Sequence, residues 1–375
     1  MARPSRKGGR VAQRQEAAPS AFNLKSFAWL EWRALFSVID DVRETEPSNG
    51  ARGPARRSGP TYGRASDTVL ENLSSGTYNA GAMSQLPVPD PPEFETIERL
   101  AVVGVGLIGG SIALAARARG VARSVVGVGR KLARLEEAHC RGIIDEASTD
   151  LTAAARRADV LVFCTPVDRI AEGVRAAAAV CRAGTLITDA GSVKGCICRV
   201  LEKGLPPGVE FAGSHPVAGS EKQGFEFADA RLFENRVCVV TPVESTSREA
   251  VARVCAFWQK LGASVVEMSP EAHDAALAQT SHLPHLVAAA LAATLSPENR
   301  PFAASGFRDT TRIASGDSEL WSAIFLGNRE QMLASLSRYD ASLARFRQAI
   351  EQKDSTALKE LLKAAKMNRE SVANG

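Results

Sequence analysis

A glycine-rich turn between an apolar run and a helical pattern has the spacing that binds a pyrophosphate. Val-rich residues 100–103 lead into G-x-G-x-x-G, and an Ala-rich segment with helical periodicity follows directly. Gly104 permits the tight turn, Gly106 lets the backbone approach a phosphate, and Gly109 lets the helix lie close to the strand. The turn comprises Gly104, Val105, Gly106, Leu107, Ile108 and Gly109. This pattern predicts a dinucleotide bound at the helix N-terminus.

The end of the second predicted strand bears on which dinucleotide binds. Strands that hold NAD usually end near an acidic residue that accepts hydrogen bonds from the adenosine ribose. Here the segment SVVGVGRK ends in Gly129, Arg130 and Lys131, and two cations can bind a 2′-phosphate. We therefore favour NADP as the cofactor. The alternative is that Arg130 and Lys131 open a solvated helix and that the protein uses NAD.

Three further clusters follow predicted strands. The first is Cys164, Thr165 and Pro166, at a turn that would pass beside the nicotinamide ribose. The second is the segment 189–194, DAGSVK, and the third is the segment 213–221, GSHPVAGSE. A doubly wound fold binds its ligands beyond the carboxyl ends of the strands, and all three clusters are expected to lie there.

Strand and helix patterns alternate from Arg99 to about Met268, which predicts a doubly wound α/β fold with a mostly parallel sheet. After Pro270 long helical periods replace the strand runs, so a separate all-helical domain is expected to follow. Its first helix is apolar on several faces, which predicts burial within its own subunit or against a partner. The predicted strands are 100–103, 124–128, 160–164, 185–188, 210–212, 237–241 and 264–267.

Composition and charge exclude several classes of protein. The 375 residues are 45% hydrophobic and 23% charged, with no signal-peptide pattern and no apolar run of the roughly 20 residues that span a bilayer. A cytoplasmic protein without membrane contact is predicted. The first 82 residues hold 12 basic against 8 acidic side chains, so the remainder is neutral, which argues against nucleic-acid binding. Seven scattered cysteines indicate reduced thiols, and no metal site is predicted.

Residues 1 to about 95 are rich in Arg, Gly, Pro and Ser, which predicts a disordered extension or linker. Residues 21–39 carry an apolar stripe at helical spacing, for which a weakly docking helix is preferred over membrane-surface attachment. The Arg-rich, acid-free start also fits a targeting peptide. A third hypothesis is that the native protein starts at Met83.

The order of motifs along the chain resembles that of the prephenate dehydrogenase family, which includes arogenate and cyclohexadienyl dehydrogenases. The matching segments, spread from about residue 99 to 345, are GVGLIGGS, CTPV, DAGSVK, GSHPVAGSEKQG, TSHLPH and FRDTTRIA followed by Trp321. The resemblance implies a Rossmann-type NAD(P)-binding domain at 96–269 and a helical dimerisation and substrate domain at 270–370. It also implies a homodimer that acts on prephenate or arogenate.

By this resemblance His215 and Ser192 are the catalytic residues. Oxidation of prephenate removes a hydride from ring C4 while the C4 hydroxyl becomes a carbonyl, and a neutral imidazole can accept the hydroxyl proton. Loss of the ring carboxylate as CO2 then makes the ring aromatic. Ser192 is expected to orient both His215 and the nicotinamide.

The same resemblance assigns substrate contacts. Arg312 matches the arginine that holds a substrate carboxylate, a task suited to a guanidinium. Arg308, from its own or a neighbouring subunit, and His285 are expected to assist. Ser220 and Glu221 are also expected to bind the substrate. Ser220 and Gln223 are expected near the substrate side chain that differs between prephenate and arogenate, and the choice between these two substrates stays open.

Three other residues on the helical segment align with the family. His282 is expected to make structural hydrogen bonds, whereas His273 and Asp274 match without an assigned role. An alternative function is that of a non-catalytic, NADP-responsive regulator with the same fold. The presence of His215, Ser192 and Arg312 argues against it, because a regulator would not need to retain them.

Overall fold

The computed structural model describes residues 95–202, 205–219 and 222–373. The predicted extension up to residue 94, with its apolar stripe at 21–39 and Met83, lies outside the described residues, as do Ser220 and Glu221. Residues from 95 to Lys353 belong to one compact unit. The last helix follows Lys353, which has a positive φ of 54°.

A six-stranded parallel sheet confirms the predicted doubly wound architecture. Its strands are β1 (Ile97–Val103), β2 (Ala122–Val128), β3 (Glu146–Ser148), β4 (Val160–Phe163), β5 (Leu186–Asp189) and β6 (Glu210–Phe211). The spatial order is β3-β2-β1-β4-β5-β6, with every neighbouring pair parallel. The order reverses direction between β1 and β4, and a crevice at such a switch point binds the ligand in this class of fold.

Helices cover the sheet as the alternating pattern predicts. They are α1 (Leu107–Ala118), α2 (Leu132–Cys140), α3 (Leu151–Ala155), α4 (Val167–Ala178), α5 (Gly195–Leu201) and α6 (Arg248–Lys260). The strands are apolar on both faces because helices pack against both: Leu100 and Val102 join one buried cluster, whereas Ala101 and Val103 join the other.

A second, three-stranded sheet was not predicted. It contains β7 (Gly213–Pro216), β8 (Val237–Thr241) and β9 (Ser264–Glu267) in that order. β7 pairs antiparallel with β8, and β8 pairs parallel with β9. The segment GSHP was interpreted as part of a cluster beyond a strand, but it forms an edge strand, where a proline is tolerated because one side needs no ladder hydrogen bonds.

Beyond β9 every described element is helical. The elements are α7 (Pro270–Leu277), a π-helical turn (Ala278–His282), α8 (Leu283–Ala293), a 3-10 segment (Pro297–Phe302), α9 (Ser305–Thr311), a 3-10 turn (Arg312–Ser315), α10 (Ser318–Gly327), α11 (Arg329–Glu351) and α12 (Ser355–Ala373). The predicted change to all-helical structure after Pro270 is therefore confirmed. None of the described helices combines the length and the hydropathy that a membrane span requires.

Candidate active site

The glycine turn has the geometry that a bound pyrophosphate requires. Gly104 has a φ of 99°, and a Cβ there would lie 2.8 Å from the carbonyl carbon of Cys164, so only glycine fits. A Cβ on Gly109 would clash with the carbonyl oxygen of Gly104. At Gly106, in contrast, a Cβ would meet nothing within 4 Å, so the backbone at the start of α1 is open to a ligand. The residues between the glycines, Val105, Leu107 and Ile108, are half-buried around this opening.

A second turn, after β4, lies against the glycine turn. Cys164 N donates to Val103 O over 2.7 Å, and Pro166 forms the N-cap of α4. Burial raises the pKa of the Cys164 thiol, with a smaller contribution from Asp189, so the thiol stays neutral. The buried hydroxyl of Thr165 has no hydrogen-bond partner among the described residues. An orphaned hydroxyl at this edge of the sheet fits a polar ligand such as a ribose.

Arg130 and Lys131 follow β2 after one intervening residue, Gly129, and both are exposed. Lys131 is the N-cap residue of α2. Neither side chain forms an ion pair within the described part of the chain. Two cations at the end of β2 are thus available to an anionic ligand.

His215 lies on β7, opposite Val239 of β8, and is 8% exposed. Its Nδ1 is 2.8 Å from Nε2 of His273, and Nδ1 of His273 is 2.8 Å from Oδ1 of Asp274. Nε2 of His215 has no hydrogen-bond partner among the described residues. His215 therefore offers one ring nitrogen to a ligand and is anchored by the other.

Asp274 joins the helical part of the chain to α5. Its Oδ1 accepts a hydrogen bond from Lys194 N and its Oδ2 accepts one from Gly195 N, both over 2.8 Å. Asn328 Nδ2 donates to the carbonyl oxygen of Asp274 over 2.8 Å. The carboxylate thus binds the free amides at the start of α5 while it holds His273.

A fully buried ion pair lies beneath His215. Lys194 Nζ donates to Asp189 Oδ2 and, over 2.8 Å, to the carbonyl oxygen of Ser214. Asp189 also accepts from Gly191 N over 2.9 Å and from Ser214 N over 3.1 Å. The pair therefore ties the end of β5 to β7. A buried charge pair needs such additional hydrogen bonds, because desolvation offsets much of the attraction between its charges.

The charges and burial at this site keep its histidines neutral. Burial lowers the pKa of His215 well below its usual value, and His273, Lys194 and His282 lower it further. Burial also lowers the pKa of His273, although Asp274 opposes that shift. An imidazole that is neutral at physiological pH can accept a proton.

His282 is buried close to the backbone of Ser192, one of the two predicted catalytic residues. Asn328 Nδ2 lies 3.2 Å from His282 Nδ1, so the amide donates and the imidazole carries its proton on Nε2. That Nε2 is buried without a hydrogen bond of normal geometry among the described residues. Burial lowers the pKa of His282 to about 4, and the backbone of Ser192 is among the groups that oppose the shift. Ser192 is half-buried, and the structure gives its hydroxyl no bond to His215.

One of the predicted substrate contacts, His285, belongs to a stacked pair of rings. His285 stacks on Trp321 with ring centroids 3.5 Å apart and an interplanar angle of 23°. Burial lowers the pKa of His285 and the positive charge of Arg312 lowers it further, whereas a hydrogen bond with the backbone of Ile313 opposes the shift. Arg312 begins the 3-10 turn after α9, and Arg308 lies exposed on α9 itself. α8, which carries His285, packs against the 3-10 turn that Arg312 begins, so the structure brings these two elements together.

Reasoning from sequence missed the partners of His215. His215 and His273 are 58 positions apart, Asp274 and Lys194 are 80 apart, and Lys194 and Asp189 are 5 apart. His273 and Asp274 were noted without a role, and the spacing of DAGSVK contains Asp189 and Lys194 without indicating that they pair. A buried lysine cannot be recognised from local sequence.

The fold and site define a class of protein, the nicotinamide-dependent dehydrogenases of doubly wound fold. Residues 112–267 match the family model described as prephenate dehydrogenase, nucleotide-binding domain, and residues 269–364 match that of the prephenate dehydrogenase dimerization domain. The chain belongs to the prephenate dehydrogenase family.

Individual relatives agree with this assignment. Prephenate dehydrogenase of Bacillus subtilis is 33% identical over 285 residues, which cover 73% of this chain and 76% of the relative. The crystal structure of prephenate dehydrogenase from A. aeolicus, in complex with hydroxyphenyl propionate and NAD+, has a TM-score of 0.70 at 33% identity and covers 74% of this chain and 99% of that one. The crystal structure of Synechocystis arogenate dehydrogenase has a TM-score of 0.62 at 32% identity. The match covers 73% of this chain and 99% of that one.

Proposed function

We propose that the protein oxidises and decarboxylates prephenate to 4-hydroxyphenylpyruvate with NAD(P)+. The observation that carries the proposal is His215, a buried neutral imidazole with one ring nitrogen open, in a dehydrogenase of this family. The glycine turn and the orphaned hydroxyl of Thr165 fit a bound dinucleotide. When bound, the nicotinamide supplies the hydride acceptor.

His215 has the central part in the proposed reaction. Its Nε2 accepts the proton of the C4 hydroxyl while the C4 hydrogen departs as hydride, so C4 becomes a carbonyl carbon. The bond from the ring to its carboxylate then breaks, CO2 leaves, and the electron pair enters the ring and makes it a phenolate. Arg312 and Arg308 hold the carboxylates and His285 contacts the substrate. Ser192 makes no hydrogen bond to His215, so its proposed role is limited to orienting the nicotinamide.

A four-way assay tests this function. The purified full-length chain is given prephenate or arogenate, each with NAD+ or NADP+, and absorbance of the reduced cofactor is followed. We expect turnover with prephenate. Turnover with arogenate alone would assign the alternative substrate, which the similarity to the Synechocystis arogenate dehydrogenase supports. No turnover in any combination would favour the non-catalytic regulator.

We propose NADP as the preferred cofactor because Arg130 and Lys131 are exposed at the end of β2 and form no ion pair within the described residues. Replacement of both by alanine is expected to raise the KM for NADP+ about 10-fold, since charge-assisted hydrogen bonds to a phosphate are lost, and to leave the KM for NAD+ nearly unchanged. Steady-state kinetics with both cofactors measures this. An equal change in the two KM values would contradict the preference.

Arg312→Ala tests the proposed carboxylate contact. We expect the KM for prephenate to rise about 10- to 100-fold, which corresponds to the loss of a charge-assisted hydrogen bond, with a smaller change in kcat. Arg123→Ala is the control, because Arg123 pairs with Glu98 at the opposite end of the sheet. A large loss of kcat at unchanged substrate affinity would contradict the role given to Arg312.

The protein is further proposed to act as a cytoplasmic homodimer. Support for the dimer comes from the match to a dimerization domain and from exposed apolar side chains on the helical part, including Phe302 at 80% and Leu326 at 70%. The seven cysteines, all in described residues, are unpaired, which suits a reducing compartment. Sedimentation equilibrium of the purified chain measures its mass in solution, and a monomer at micromolar concentration would contradict the dimer.

A further inference from the structure

We infer that His273, held by Asp274, is a positioning residue that selects the tautomer of His215, so that Nδ1 carries the proton and Nε2 is bare. This inference rests on the proposed function, because it explains how His215 accepts a proton. The observations that carry it are two hydrogen bonds in series, each 2.8 Å long.

The carboxylate of Asp274 determines which groups donate in the two hydrogen bonds. An ionised carboxylate only accepts hydrogen bonds. The amides of Lys194 and Gly195 already donate to the two oxygens of Asp274, so the third group in contact, His273 Nδ1, is also a donor. The proton of His273 therefore lies on Nδ1.

The second hydrogen bond follows from the first. A neutral imidazole with a proton on Nδ1 has a lone pair on Nε2, and the partner of His273 Nε2 is His215 Nδ1. Of this pair of nitrogens only the one on His215 can donate. His215 thus carries its proton on Nδ1, and its Nε2, which has no partner among the described residues, is an acceptor.

A selecting device is needed because a free neutral histidine side chain in water favours the proton on Nε2. In that form His215 would present a donor to the substrate hydroxyl and could not remove its proton. A doubly protonated His273 would reverse the series and produce that form. Both rings are buried and the ammonium group of Lys194 lies below them, which disfavours an additional positive charge.

The surroundings contain other charged or titratable groups. Asp274 and Lys194 act through the contacts described above, and Asp189 neutralises Lys194. His282 lies on the π-helical turn and shares Asn328 with Asp274, whose main-chain oxygen accepts from the same amide nitrogen. Among these groups only His273 has its ring nitrogen in hydrogen-bond contact with the ring of His215.

Nuclear magnetic resonance reads the tautomers directly. The full-length chain contains five histidines, so two-bond proton–nitrogen correlation spectra of protein labelled with 15N in the imidazole rings can be assigned by single substitutions. We expect Nδ1 protonated and Nε2 bare in both His215 and His273 at neutral pH. A spectrum in which His215 Nε2 carries the proton would overturn the inference.

Two substitutions at one position link the tautomer to turnover. His273→Leu removes the acceptor, so the Nε2-protonated form of His215 should become dominant and kcat should fall about 100-fold, within the range of general base catalysis. His273→Gln retains an amide oxygen that can accept from His215 Nδ1, and it should restore both the native tautomer and most of the activity. Circular dichroism checks that each variant is folded.

The outcomes separate this inference from the proposed function. A folded His273→Leu protein that keeps the native tautomer of His215 would overturn the role of His273. The spectra need no substrate, so a protein with the expected tautomers that does not oxidise prephenate would overturn the function and leave the tautomer assignment intact. A protein that oxidises prephenate although Nε2 of His215 carries the proton in the resting state would overturn the tautomer assignment and leave the proposed function intact.

Discussion

His215→Asn is expected to reduce kcat about 1,000-fold, because asparagine lacks a nitrogen that can take a proton from the substrate hydroxyl. The asparagine amide is shorter than imidazole and polar, and it can still donate toward His273. The proposed carboxylate contact of Arg312 is left unchanged by this substitution. Substrate affinity, measured by isothermal titration with the oxidised cofactor present, should therefore stay within about three-fold of the native value.

The matched control is His139→Asn. His139 is exposed on α2, and its Nδ1 contacts the carbonyl oxygen of Ile144 over 3.1 Å, away from the β7 strand. This variant should keep native kcat and KM. If His215→Asn retained most of its turnover, or lost activity only through weaker substrate binding, His215 would not be the base.

Local sequence was sufficient to predict the glycine turn. The glycines of residues 104–109 act through backbone conformation and close approach, and both are properties of the turn itself. The predicted boundaries of 237–241 and 264–267 also match β8 and β9, because both segments are rich in valine, which favours strands. β3 was missed because its three residues are too few to establish a period.

The rest of the site depends on tertiary structure. His215 was expected just beyond the carboxyl end of a strand but lies on an edge strand, since the pairing of β7 with β8 is set by a segment more than 20 residues later in the chain. His273 reaches His215 from α7, where the next residue, Asp274, binds the start of α5 across 80 positions. Periodicity describes which face of an element is buried, and it does not describe which buried polar groups meet.

Lys194→Met is expected to lower the free energy of unfolding by about 3–5 kcal/mol, because it leaves the buried carboxylate of Asp189 without its counter-ion. Both side chains are completely buried, so water cannot replace the ammonium group. The carbonyl oxygen of Ser214 loses a donor as well. Denaturant unfolding followed by circular dichroism measures the change, with the slope m used to check that the denatured state is unaltered.

Two further variants make this result interpretable. Lys366→Met removes the same side chain from an exposed pair with Glu370 and should leave stability essentially unchanged. The double variant Asp189→Asn with Lys194→Met removes both charges, so it should recover part of the loss, because no buried charge is then left alone. A single Lys194→Met variant as stable as the native protein would show that the pair does not hold β5 to β7.

Lys194→Met should also change the pH dependence of turnover. Burial, then His273 and then Lys194 lower the pKa of His215, so loss of the ammonium charge raises that pKa. His215 would then become protonated at a higher pH, and a protonated imidazole cannot act as the base. The acid limb of kcat/KM should accordingly move to higher pH in a folded variant, while the Lys366→Met control keeps the native profile. An unchanged acid limb would mean that the buried charge at Lys194 serves the fold and does not tune the base.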